Sequence, residues 1–310
     1  MRLLKDLTGQ LKNLYRGDVK TPAVKGGRGP TIHIFVPSYP GPKVKTMEAV
    51  LNLMFGWQEL GTGIRLSLKL TGGAYIDVMR NEALVAMFKD PEALGILMVD
   101  HDAIFPNKTI TDPKAKKYDG YNALHQLYKQ YKDIIGGLTT TRSMPIKMMC
   151  GGYTDVSSLA CLDDMDKCHP LSSKPFMVEW TACHFTYISR RGAMKIVDHY
   201  GQDKHFFECG SRILLDNEKR AKIEEALAQH KAGEIDTQAF LKTMEYWVDL
   251  AGVFQEDVSF CRRARAAGCE IWIDPSFEVQ HIGDYAYSRM DWLGQKMRQD
   301  EEAKEAEKAS

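Results

Sequence analysis

Residues 94–106 read Leu94-Gly95-Ile96-Leu97-Met98-Val99-Asp100-His101-Asp102-Ala103-Ile104-Phe105-Pro106, and the rest of the chain is arranged about them. An apolar run rich in branched side chains, closed by polar groups and then a proline, is the pattern of a strand buried on both faces. Side chains alternate along a strand, which predicts Asp100 and Asp102 on one face at its end. Two carboxylates so placed repel each other unless a cation lies between them. Hard divalent ions such as Mg2+ or Mn2+ take oxygen ligands and keep positions open for phosphate. A bare Asp-x-Asp also occurs in ordinary turns, so its meaning depends on its company.

Upstream, Thr31-Ile32-His33-Ile34-Phe35-Val36-Pro37 reads as a first strand and Ile64 to Leu70 as a second. Between them, Met47, Val50, Leu51, Met54 and Phe55 give Val44 to Trp57 a helical period. Strand, helix, strand implies a right-handed crossover and a parallel pair. Thr71 to Asn81 leads into a helix over Glu82 to Lys89, which Asp90-Pro91 ends before the Asp100 strand. In open parallel sheets ligands collect at the carboxyl ends of the strands, where the Pro37 turn, Arg80-Asn81 and Asp100/Asp102 would meet. Arg80 there suits a forked contact to phosphate, or is an ordinary helix-surface arginine.

Further on, Tyr121 to Tyr131 is helical and Asp133 to Leu138 is a strand containing Gly136-Gly137. Those glycines either admit a ligand to the backbone or mark a bulge. Cys150 to Pro175 reads as irregular, and its cysteine spacings fit no zinc pattern. Trp180, in a polar stretch before a helix that runs from about Ser189 to Tyr200, suits sugar stacking or core packing equally. Residues 203–250 break the strand–helix alternation with two helices, Asp216 to Lys231 and Thr237 to Leu250, an inserted hairpin. Glu256 and Asp257 open the next helix, where the helix dipole alone would favour acids. Ile273-Asp274-Pro275 and His281-Ile282-Gly283 follow, and a lone histidine such as His281 is often structural.

The chain has 310 residues, zero formal net charge, 44% hydrophobic and 26% charged residues. That suits a soluble globular protein with a sizeable core and gives no overall field toward nucleic acid. Seven scattered cysteines, no bilayer-length apolar run and no secretory signal pattern predict a reducing, cytoplasmic setting. Residues 1–30 divide from the rest. Leu3, Leu4, Leu7, Leu11 and Leu14 line one helical face and Arg2, Lys5, Lys12 and Arg16 the other, before a glycine-rich linker. Such a helix lies on an anionic membrane, docks on its own domain, or joins subunits into a homo-oligomer through residues 1–16. Residues 31–284 form the main domain, with its helical insertion at about 203–250, and 285–310 a charged helix or frayed tail.

In this order, the motifs resemble those of the A-type-fold nucleotide-sugar glycosyltransferases. Glu256-Asp257-Val258-Ser259-Phe260-Cys261 through Gly268, then Ile273-Asp274-Pro275 and His281-Ile282-Gly283, is similar to that superfamily's E-D-x-x-F-x-x-R-x-x-x-x-G…D-P…H-x-G run. Asp77-Val78-Met79-Arg80-Asn81 resembles its A-R-N loop, and Val99-Asp100-His101-Asp102 its metal-binding aspartates. In style, residues 98–106 and Ile134-Ile135-Gly136-Gly137 resemble compact phage-encoded members, some of which modify hydroxymethylated pyrimidines in DNA.

The resemblance implies a Rossmann-like, mostly parallel sheet flanked by helices. It implies a divalent cofactor, Mn2+ or Mg2+, and transfer of a sugar from a nucleoside-diphosphate sugar, UDP-sugar first, to an acceptor hydroxyl. Asp102 and His281 would ligate the metal, and Asp100 would ligate it or hold the ribose. Pro37, Tyr39, Asp77 and Arg80 would lie on the donor side. Asp257 would face the acceptor with Glu256 beside it, and Trp180, Thr181 and His184 would form the acceptor loop. Thr181-Ala182-Cys183 stands where the superfamily often has a glycine, which implies an unusual acceptor. Modified DNA is one acceptor expectation, in the host cytoplasm for a phage protein. It calls for basic residues near the site, among them Arg142, Lys147, Arg190, Arg191, Arg262 and Arg263. A cell-surface glycan is another. A nucleotidyltransferase and a non-catalytic nucleotide-sugar-binding module are the competing functions.

Overall fold

The computed structural model describes residues 29–37, 41–72, 75–106, 122–141, 144–153, 159–168, 174–201, 206–207, 217–249, 255–282 and 286–309. Residues 1–28, Tyr39, the 112–117 loop, Arg142 and Gly283 lie outside them, and with them the expected amphipathic helix and linker.

The first half is the expected alternation: β1 (Thr31–Pro37), α1 (Val44–Glu59), β2 (Arg65–Thr71), α2 (Ile76–Lys89) and β3 (Ala93–Val99). β4 (Ala103–Ile104), α3 (Ala123–Tyr128) and β5 (Ile134–Thr139) follow. Then come β6 (Cys150–Tyr153), β7 (Leu159–Cys161), α4 (Met165–Cys168), β8 (Phe176–Val178), β9 (Trp180–Thr181), β10 (Phe185–Ser189) and α5 (Arg190–Tyr200). The chain closes with α6 (Asn217–Lys231), α7 (Thr237–Asp249), α8 (Glu256–Ala266), β11 (Ile271–Ile282), β12 (Ala286–Tyr287) and α9 (Arg289–Ala309).

The main sheet has the order β12-β11-β5-β10-β3-β1-β2, with β4 and β8 also on β11. β1 is parallel to β2 and β3, and β5 is parallel to β11. β10 runs antiparallel between β3 and β5, so the sheet is mixed. This α/β arrangement, a large curled sheet flanked by helices with the α6–α7 hairpin added, is consistent with the Rossmann-like glycosyltransferase A-type fold.

Alternation sends side chains of each central strand to both faces. Ile32, Ile34, Val36, Leu97 and Val99 join one core with Val50, Leu53 and Trp57 of α1 and Leu124 and Leu127 of α3. Phe35, Ile96 and Met98 join the other with Leu84 and Met87 of α2, Ile196 of α5 and Phe260 of α8. The continuous apolar runs at 31–37 and 94–99 thus reflect burial on both faces.

Four expectations are corrected. Arg80-Asn81 lies within α2, which begins at Ile76 and not at Glu82. No glycine or proline interrupts residues 76–89, and Asp77 sits in the first turn where the dipole favours an acid. Residues 150–175 are not wholly irregular: β6 pairs with β7 and, farther along, with β9. Elements of two to four residues are too short to show a period. The irregularity at Gly136-Gly137 lies on the partner strand, where β11 shifts register between Asp274 and Glu278, while the glycines pack inside β5, where a Cβ on Gly137 would meet Phe277 and Val279 at 2.6 Å. The stretch from 291 is no free tail at its start, because Trp292 of α9 is 2% exposed against Leu138, Met148 and Ile273. Among the described residues no helix is long and apolar enough to cross a membrane.

Candidate active site

Strand direction assembles the site. β3 ends at Val99, delivering Asp100 and Asp102 into a turn at the carboxyl edge of the sheet. Because β10 is antiparallel, with Phe185 opposite Val99, the residue just before it reaches the same edge. That residue is His184, whose carbonyl accepts the Asp100 N–H at 2.9 Å. β11 outruns its partner β5 and pairs His281 with Ala103 of β4, while the Ile282 N–H donates to the Asp102 carbonyl at 2.9 Å. Three distant stretches therefore place one carboxylate and two imidazoles together.

Asp102, His184 and His281 offer donor atoms that all lie within 4.8 Å of one another, and all three residues are buried. His281 Nε2 is 3.2 Å from Asp102 Oδ2 and His184 Nδ1 is 3.9 Å from Asp102 Oδ1. The two rings are 4.1 Å apart. His281 Nδ1 lies 3.2 Å from the Thr140 carbonyl, which can only accept, so this nitrogen carries the hydrogen. Its Nε2 then faces a carboxylate with a proton or a cation between them, and a ring N–H held by a carbonyl is the usual support of a metal-binding histidine. His184 Nε2 is buried without a hydrogen-bond partner among the described residues. One oxygen and two nitrogen donors in a buried set fit a divalent transition ion. Burial raises the Asp102 carboxyl, but the His281 hydrogen bond and the His184 and His281 charges outweigh it and hold it below the ordinary range.

Asp100 turns the other way. Its Oδ1 accepts from Arg80 Nη2 at 2.6 Å, and its Oδ2 lies 3.2 Å from His184 Nδ1. Burial opposes its charge, yet the Arg80 guanidinium and His184 hold its carboxyl well below the usual range. Arg80, 2% exposed, also donates through Nη1 to Glu256 Oε1 at 2.7 Å. Its guanidinium lies 5.6 Å over the Phe207 ring. Both α2 and α8 begin at the carboxyl edge, which is how residues 176 positions apart come to share a hydrogen bond.

Asp257, buried in the first turn of α8, accepts the Val258 N–H at 2.7 Å. Burial and then the Glu256 charge push its carboxyl up to about 7. Pro37 ends β1 at this edge and Asp77 is buried in the first turn of α2. Trp180 packs in the core with its indole N–H donating to the Gly152 carbonyl at 3.0 Å, the packing alternative of the two weighed for it. Thr181 is buried and its backbone N–H and carbonyl both meet Cys261 Sγ at 3.5 Å, fastening β9 to α8. Asp274 holds the local turn, accepting from the Gln130 side-chain Nε2 and from the Ser276 backbone N–H.

Sequence reasoning placed His184 in an acceptor loop rather than beside Asp102. The sign was a histidine directly before an apolar strand, but the strand's direction is set by pairing that no local pattern records. Phe207, the floor beneath Arg80, carried no sign at all.

No protein-family model matches the chain, and no curated protein matches it. Solved structures with a similar trace include a crystal structure of A197 from STIV, 13% identical, with a TM-score of 0.42 over 84% of this chain and 91% of that one. Another is a crystal structure of GalNAc-T7 with UDP, GalNAc and Mn2+, 11% identical, with a TM-score of 0.42 over 83% of this chain and 43% of that one.

Proposed function

We propose that the chain is a metal-dependent glycosyltransferase that moves a sugar from a nucleoside-diphosphate sugar, UDP-sugar first, to an acceptor hydroxyl. The observation that carries the reading is one edge of the sheet holding both the Asp102–His184–His281 donor set and, in α8, a buried carboxyl at about 7. The order of motifs described above supports it.

In this reading Asp102, His184 and His281 hold the cation, and two imidazoles favour Mn2+ over Mg2+, which prefers oxygen alone. Such an ion, when bound, offsets the charge that grows on a diphosphate leaving group. Asp257 takes the proton of the acceptor hydroxyl as its oxygen bonds to the anomeric carbon and the bond to the diphosphate breaks. A base whose pKa lies near the working pH suits that task, and direct displacement of this kind inverts the anomeric centre. Fixed donors and charges act at a site already built, with little reorganisation.

Three of the arginines expected for a DNA acceptor have partners within the protein. Arg191 pairs with Asp133 at 2.6 Å, Arg190 donates to the Asp90 carbonyl at 2.7 Å, and Arg263 is buried and donates to the Phe206 carbonyl at 2.9 Å. Arg190 and Arg263 thus serve the backbone, while Arg191, though paired, keeps most of its side chain exposed.

The test is a thermal-shift screen of UDP-sugars and other nucleoside-diphosphate sugars, each with Mn2+ and with chelator. A ligand at a hundred times its dissociation constant adds about 2.7 kcal/mol of stability, a readily measured shift. The expected result is stabilisation by one nucleotide-sugar with Mn2+ that Asp102→Ala and His281→Ala both abolish. No metal-dependent shift with any of them would overturn the reading.

A further inference from the structure

We infer that Arg80 is an internal brace and not a contact for the nucleotide: joined to Asp100 and Glu256, it fixes the first turn of α8, and with it Asp257, against the turn that carries Asp102. Glu256 is then a positioning residue rather than a second reacting acid. The catalytic consequence rests on the transferase reading; the brace itself does not.

Geometry supports it first. Arg80 spends one amino group on Glu256 at 2.7 Å and the other on Asp100 at 2.6 Å. The rigid planar fork of a guanidinium suits such a two-sided contact. The floor beneath it is held as well. Phe207 stacks on Phe260 of α8 with centroids 4.4 Å apart and 12° between planes. Asn81, the next residue of α2, accepts the N–H of Phe206 and of Phe207 at 2.8 and 3.0 Å and donates to the Phe207 carbonyl at 2.7 Å. Arg263 of α8 donates to the Phe206 carbonyl at 2.9 Å. α2, residues 206–207 and α8 are thus tied into one unit around the guanidinium.

Charge supports it next. For Arg80 to turn to an incoming diphosphate, it would have to leave Asp100 and Glu256 without their shared cation, both facing a further anion. Removing one partner of a buried pair strands the other's charge, so the swing is disfavoured. The groups acting on Asp257 are Glu256, Arg80 and Asp100, and the buried thiols of Cys183 and Cys261 feel its charge in turn. Where Arg80 stands fixes how these opposed charges add at Asp257.

The experiment uses the full chain with carbon-13-labelled aspartate, following the Asp257 carboxyl by NMR through a pH titration in wild type, Glu256→Gln and Arg80→Lys. Mn2+–UDP affinity is measured on the same samples. In Glu256→Gln the side chain still accepts from Arg80 but the like charge is gone, so the Asp257 midpoint falls. In Arg80→Lys the fork is lost and the midpoint rises. Mn2+–UDP affinity in Glu256→Gln stays within about threefold of wild type, while transfer falls by about tenfold or more in kcat with little change in KM. An Asp257 midpoint unmoved in both variants would overturn the brace. So would a loss of Mn2+–UDP affinity of about tenfold or more in Arg80→Lys with Asp257 unmoved, since that identifies a ligand contact. Should Glu256→Gln not fold, Arg80→Lys alone decides between these outcomes. Should wild type transfer no sugar, the transferase reading fails while the Asp257 titration still decides the brace.

Discussion

Asp257 combines a position at the start of α8 with a carboxyl raised to about 7, by burial first and the Glu256 charge second. Replacing it with asparagine keeps the shape and the acceptor oxygen but removes the base. We expect Asp257→Asn to lower transfer by about 10²–10⁴-fold while Mn2+–UDP binding is retained. The same residue predicts a pH dependence. Its folded value lies above the unfolded one, so between about pH 4 and pH 7 the folded state binds more protons and Asp257 costs stability as pH rises. Asp257→Asn lacks that loss. Its stability relative to wild type should climb across this window, by on the order of 4 kcal/mol, and level off above it. Urea denaturation of both proteins at a series of pH values measures the difference, and a constant gap would show Asp257 titrating as an ordinary carboxylate. Wild-type transfer should rise with pH through the same value.

Elements show how far a sequence carries. The apolar runs at 31–37 and 94–99 announced β1 and β3 because burial on both faces leaves no polar alternation to confuse. The place of Asp257 in the first turn of a helix was legible from the acids that open the run at Glu256. The pairing of Asp102 with His184 was not, because it depends on the antiparallel run of β10 between two strands of the opposite direction. Gly137 was legible as unusual but not in its reason. Its missing Cβ makes room for Phe277 and Val279, both 2.6 Å from where a Cβ would stand. β5 and β11 therefore come together only with hydrogen at this position. Gly137→Ala should destabilise by about 1–3 kcal/mol through overpacking. It should also disturb the partnership of the Thr140 carbonyl with His281, three residues along the chain. Denaturant midpoints and a Mn2+ titration read the two effects; unchanged values in both would mean the strands shift apart without strain.

At the scale of the whole molecule, the last helix belongs to the architecture around the site. Trp292 fills a third core with Leu138, Ile146, Met148, Cys150 and Ile273. Gln295 grips the backbone of Ile146 from both sides, accepting its N–H at 2.9 Å and donating to its carbonyl at 3.2 Å, much as a neighbouring strand would. Arg289 donates to the Pro275 carbonyl at 2.9 Å. These contacts press on β5 at Leu138 and on the first half of β11 at Ile273 and Pro275, the strands that carry Thr140 and His281 to the carboxyl edge. Beyond Gln295 the helix turns outward, and residues 297–306 are exposed. Removing residues 298–310 should therefore leave the unfolding midpoint almost unchanged. Trp292→Ala should cost about 3–5 kcal/mol, the range for emptying a buried aromatic site. If α9 supports the site through those strands, Trp292→Ala should also weaken Mn2+ binding under conditions where the variant is still folded by circular dichroism. Undiminished Mn2+ affinity in a destabilised but folded Trp292→Ala protein would confine α9 to a structural role remote from the donor set.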